Sequence, residues 1–75
     1  MELKPGIYRH FKGKLYLLIG TARHSETMEL MVVYRALYGD NSPWVRPAEM
    51  WFETVEKDGY YGQRFTYITE SQETL

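Results

Sequence analysis

Seventy-five residues and 8.9 kDa bound the chain to one domain, spanning 1–75. Seven Tyr, three Phe and two Trp supply the core that so small a fold needs, and with no cysteine there is neither a disulfide staple nor thiolate chemistry. The longest apolar runs are a few residues and the net charge is −1, so no membrane span or signal peptide is expected and nucleic acid is disfavoured as a partner.

In chain order, Lys4-Pro5-Gly6 is a strand-entry signal and Ile7–Phe11 alternates as a short strand. Lys12-Gly13-Lys14 is a tight turn. Leu15–Arg23 is apolar on both faces and predicts a central strand buried on both sides for part of its length, with a bend or bulge at Gly20. His24–Glu29 is polar and reads as a loop. Leu30–Tyr38 is the second strong strand. Gly39-Asp40-Asn41-Ser42 is the clearest hairpin turn, and Pro43–Pro47, bracketed by prolines, is an edge strand. Residues 48–55 fit either one helical turn or a strand. Lys57-Asp58-Gly59 is a turn, Gln63–Ile68 a last short strand or 3₁₀ turn, and 69–75 a frayed polar tail. About five short strands separated by Gly, Pro and Asn turns predict an all-β antiparallel barrel.

Three blocks carry a family resemblance: Gly6-Ile7-Tyr8-Arg9-His10-Phe11-Lys12-Gly13; Ala22–Thr27 with Met31–Gly39; and Trp44-Val45-Arg46-Pro47 with Phe52, Val55, Asp58-Gly59 and Arg64-Phe65. Over about residues 6–67 the chain resembles the bacterial family called domain of unknown function 1653. The resemblance implies a stand-alone bacterial protein with an SH3-type barrel. It implies no activity.

Charge is unevenly placed. Residues 1–25 hold Lys4, Arg9, Lys12, Lys14 and Arg23 against Glu2, while 26–75 hold Arg35, Arg46, Lys57 and Arg64 against nine acids. Such a dipole steers partners or pairs copies, or its halves neutralise each other within the fold.

Neither a nucleophile elbow nor a phosphate loop is present, and a small barrel is filled by its own side chains, so an enzyme is not the leading expectation. No cofactor or metal is expected. His24 and Glu26 share a face if extended, but His10, the only other histidine, falls roughly 27 Å along the hairpin at 3.3–3.4 Å per residue. The plain reading of His24 is a loop residue satisfied by backbone or by Glu26, and of His10 a half-buried strand histidine bonded to a neighbour. Aromatics outnumber what the core can enclose, and with interleaved arginines they have the composition of a recognition surface. The leading expectation is a cytoplasmic, non-enzymatic binding module for a peptide, nucleotide or other anionic ligand. Its candidate residues are His10, His24, Glu26, Thr27, Tyr34, Arg35, Trp44 and Arg46. The alternatives are a small hydrolase-like enzyme built on His24 and Glu26, and a structural homodimer associating through Trp51, Phe52 and neighbouring tyrosines.

A two-residue loop at Asp40-Asn41 pairs Leu37 with Trp44, Ala36 with Val45 and Arg35 with Arg46. Two guanidinium groups then stand opposite each other, with Cβ atoms about 5 Å apart. Either a carboxylate of Glu26, Glu49 or Glu53 lies between them, or they form a two-armed anion site beside Tyr34 and Trp44.

Overall fold

The computed structural model describes residues 3–70. Seven strands and one helical turn follow in order: β1 (Gly6–His10), β2 (Leu15–Arg23), β3 (Leu30–Ala36), β4 (Pro43–Pro47), α1 (Ala48–Trp51), β5 (Thr54–Lys57), β6 (Tyr60–Gln63) and β7 (Phe65–Thr69). Five form an antiparallel sheet in the order β4-β3-β2-β1-β7, and β5 and β6 form a separate hairpin. Two strands more than expected arise because the ambiguous stretch 48–55 divides into α1 and the start of β5, and the segment after Gly59 breaks at Arg64 into β6 and β7. Arg64 is the joint between the sheets: its N–H donates to the Glu53 carbonyl and its carbonyl accepts from Phe11 N–H.

The sheet is strongly curled. In a flat sheet, four inter-strand steps of about 4.8 Å would hold β4 and β7 about 19 Å apart. Instead the guanidinium carbon of Arg46, on β4, lies 5.5 Å from the centroid of the Phe65 ring, on β7. Curling wraps the inner face around Tyr8, Leu18, Val32, Tyr34, Trp51 and Phe65, so the fold is a small all-β barrel. Trp51 stacks on Phe65 with centroids 3.8 Å apart and meets Tyr8 and Tyr34 edge-on. Trp51 is only 2% exposed, so it cannot anchor the self-association patch expected at Trp51 and Phe52: α1 turns the indole inward to close the barrel.

The turns obey their residues. Asp58 and Gly59 both have positive φ, as a two-residue primed hairpin loop requires, and join β5 to β6. At Gly20 the β2–β3 register slips, which is the expected bulge. Gly6, at φ +145, faces β7 so closely that a Cβ there would meet the Thr69 carbonyl oxygen at 2.5 Å. β2 is not buried on both sides: Leu18 is enclosed but Ile19 is half exposed, because no second layer covers the outer face there. Thr69 ends β7 within the sheet, and 71–75 of the expected tail lie outside the described residues.

β3 stops at Ala36, two residues early, and its register with β4 differs by three from expectation. Arg35 pairs with Pro43, Tyr34 with Trp44, Val33 with Val45 and Val32 with Arg46. The end of β3 stays with β2 instead: Leu37 N–H donates to the Leu15 carbonyl and the Tyr38 and Tyr16 hydroxyls bond at 2.6 Å. The loop is therefore six residues, 37–42. Asn41 N–H bonds back to the Tyr38 carbonyl, Gly39 supplies the first positive-φ corner, and Asp40 holds Ser42. Arg35 and Arg46 point to opposite faces, and the expected arginine pair does not form.

The bond from Ala36 N–H to the Ser42 carbonyl also sets the ladder phase. Antiparallel pairs alternate, so Trp44 and Arg46 bond to β3 while Pro43, Val45 and Pro47 turn their backbone groups outward. Two of the three outward positions have no N–H. The edge strand offers a single donor, from Val45, to any chain that would extend the sheet.

Candidate functional site

One mouth of the barrel gathers four of the eight expected residues. Trp44 and Arg46, two apart on β4, share its inner face, where Trp44 stands opposite Tyr34 and Arg46 opposite Val32. Since the Trp51 indole stacks on one face of Phe65, the Arg46 guanidinium covers the other. His10 meets Phe65 with centroids 5.1 Å apart, and Tyr16 and Tyr34 approach the same ring at 5.7 and 6.1 Å.

Arg46 is half-buried in this setting. Its Nε is shut off from solvent without a hydrogen-bond partner, and Glu53 with Arg64 is the sole ion pair among the described residues. Its guanidinium thus meets an aromatic ring but no carboxylate.

Further cations lie on the aromatics around the mouth. Lys12 lies over Phe11 and Lys14 over Tyr38, at 5.9 and 5.0 Å from the ring centroids. The effect of Lys12 is visible on His10, whose pKa is lowered from 6.5 by burial first and then by the charges of Arg64, Arg46 and Lys12. Its Nδ1 accepts from Lys12 N–H at 3.2 Å, which leaves the ring proton of the neutral form on Nε2. The Tyr16 hydroxyl is pushed up to about 12 by burial and its bond to Tyr38, so it stays neutral. Beside the mouth a cleft of about 430 Å³ is lined by His10, Phe11, Lys12, Glu53, Thr54 and Arg64, among others.

His24, Glu26 and Thr27 are not part of this mouth. They form the β2–β3 loop, at the far end of β2 from Tyr16. His24 Nδ1 accepts from the N–H groups of Glu26 and Thr27 at 3.1 and 3.3 Å, and Thr27 Oγ1 accepts from Glu29 N–H. Met28 N–H donates to the His24 carbonyl, His24 N–H to the Glu29 carbonyl, and Arg23 caps the Met28 carbonyl. These bonds shape the loop, and His24 acts in it as a backbone cap. Arg35 lies on the outer face, level with Leu17 and Pro43.

Lys12, Lys14, Tyr16, Arg64 and Phe65 join the mouth without having been singled out as site residues. A signal was available for the first three: the Lys12–Lys14 turn returns Tyr16 to the inner face beside Tyr8. Arg64 and Phe65 depend on β7 crossing to β1, a contact between chain ends that no local pattern specifies.

The model of the family "Protein of unknown function (DUF1653)" matches residues 6–67. A crystal structure of a DUF1653 protein from Bordetella bronchiseptica is similar at 40% identity and a TM-score of 0.82, covering 89% of this chain and 88% of that one. No curated protein matches the sequence.

Proposed function

We propose that this chain, which belongs to the DUF1653 family of proteins of unknown function, is a cytoplasmic, SH3-like binding module that grips an anionic group with Arg46. The observation that carries this reading is an arginine at an inward register position, half-buried, with its Nε unbonded and no carboxylate against it. Enclosing a charge without a partner costs stability, and a guanidinium is a planar fork suited to a phosphate or carboxylate. An arriving anion would meet Arg46 with Lys12, Lys14, Arg64 and the Nε2–H of His10 close by.

The enzyme alternative draws less support. A general base must present an unprotonated nitrogen to its substrate, and the Nδ1 of His24 is already engaged by two backbone amides. Association of copies through the β4 edge is hindered by Pro43 and Pro47.

Phosphate titration followed by NMR tests the reading. The Arg46 Nε–H signal and the amides around His10 and Phe65 should move together and saturate. Shifts scattered over surface lysines, unchanged in an Arg46→Met variant, would reject it.

A further inference from the structure

Building on the anion-binding role of Arg46, we propose that the ligand is a nucleotide, its base stacked on Trp44 and its phosphate held by Arg46. Trp44 is 57% exposed, and among the described residues neither a ring nor a cation lies against its indole. The other tryptophan, Trp51, is sandwiched in the core. As alternate residues of one strand, Trp44 and Arg46 project from the same face, their Cα atoms about 6.7 Å apart. An open indole face on the same side of the strand as a guanidinium that has no carboxylate partner suits a flat ring joined to a phosphate, and every nucleobase offers a stacking face.

The surroundings favour this class over a peptide. A peptide pairing with β4 needs backbone hydrogen bonds of both kinds, and the prolines leave it a single donor, the Val45 N–H. A nucleotide needs none of these. The local charge balance is also favourable despite the net charge of −1: Lys12 and Lys14 ride on Phe11 and Tyr38, and of the two acids lining the adjoining cleft, Glu53 is paired with Arg64 while Glu56 shares the cleft with Lys12 and Lys57.

The two tryptophans make the test direct, because only Trp44 is open to a stacking ligand. Emission of the full chain is titrated with inorganic phosphate, with thymidine monophosphate and with a twelve-residue oligothymidylate, and phosphate binding is read separately by thermal shift. Nucleotide is expected to quench Trp44, and phosphate to raise the melting temperature without quenching. In Trp44→Leu, nucleotide affinity should fall about 5- to 150-fold, the usual worth of one stacked base, while the phosphate shift persists. Tightening from monophosphate to oligomer identifies a single strand as the natural ligand. Equal affinity identifies the free nucleotide. If phosphate binds through Arg46 but nucleotide neither quenches nor binds more tightly than phosphate, the nucleotide assignment is wrong and the anion site stands. If neither binds, both fall.

Discussion

Replacing Arg46 with Met should raise the melting temperature in chloride buffer, which is unusual for a half-buried residue. The variant keeps an unbranched apolar stem over Phe65 and loses the guanidinium. The loss is one cation–π contact, worth about 0.5–2 kcal/mol depending on how dry it is. The gain is relief of a buried Nε–H that has no acceptor, about 1–3 kcal/mol. The balance favours the variant by about 1 kcal/mol, or about 4–8 °C for a domain of this size. Phosphate at ten times its dissociation constant should then add about 1.4 kcal/mol to the parent and nothing to the variant. The two proteins therefore exchange order, the variant melting higher in chloride and the parent matching or passing it in phosphate. Melts followed by near-ultraviolet circular dichroism at matched ionic strength separate this from general screening. A variant that melts several degrees lower in both buffers would show that Arg46 is an ordinary structural arginine, and the anion-site reasoning would be refuted.

Other expectations follow from single contacts. His10 should titrate below 6.5 by NMR and move upward when phosphate binds, since an anion offsets the charges of Arg64, Arg46 and Lys12. Because the fold prefers its neutral form, the unfolded chain takes up the proton first as pH drops below about 6.5, and stability falls there; His10→Gln should flatten that slope between pH 7 and 5. Trp51→Ala removes the ring stacked on Phe65 and should cost about 3–5 kcal/mol in urea denaturation, a large part of the stability of any small domain. Changing Pro43 and Pro47 together to Thr restores two outward N–H donors on β4, so light scattering should show more self-association than in the parent; equal scattering would mean the prolines do not guard this edge.

Much of the fold was legible because its punctuation is local. Lys12-Gly13-Lys14, Asp58-Gly59 and the two prolines of β4 mark boundaries by backbone chemistry alone, and β2 and β4 run between the limits their sequences indicate. Residues 48–55 were ambiguous for a physical reason. Apolar side chains at 50, 51, 52 and 55 satisfy both periodicities, and the choice of helix falls to the core, which needs the Trp51 indole against Phe65. The aromatic and arginine character of the surface was visible in composition. Its location was not, because β7 brings Phe65 to Arg46 from the other end of the sheet.

The β3–β4 register shows how much can hang on one turn. Asp40 and Asn41 make an attractive two-residue loop, but Leu37 and Tyr38 are held by β2, through the Leu15 carbonyl and the Tyr16 hydroxyl, and the loop must be longer. The resulting shift is three residues. Because side chains alternate along a strand, an odd shift exchanges the two faces of β4 relative to β3. In the shorter loop, Arg46 would share the outer face with Arg35, away from Val32, Tyr34 and Phe65. In the observed one it shares the inner face with Val32 and Tyr34, and its guanidinium is drawn over Phe65 without a counter-charge. The mouth is thus a product of the Tyr16–Tyr38 bond as much as of β4. Tyr38→Phe, which breaks that bond while leaving the ring under Lys14, should loosen the loop and weaken phosphate binding without removing any group that touches the anion. Undiminished phosphate binding in that variant, measured calorimetrically, would mean that the register is held by the ladder alone.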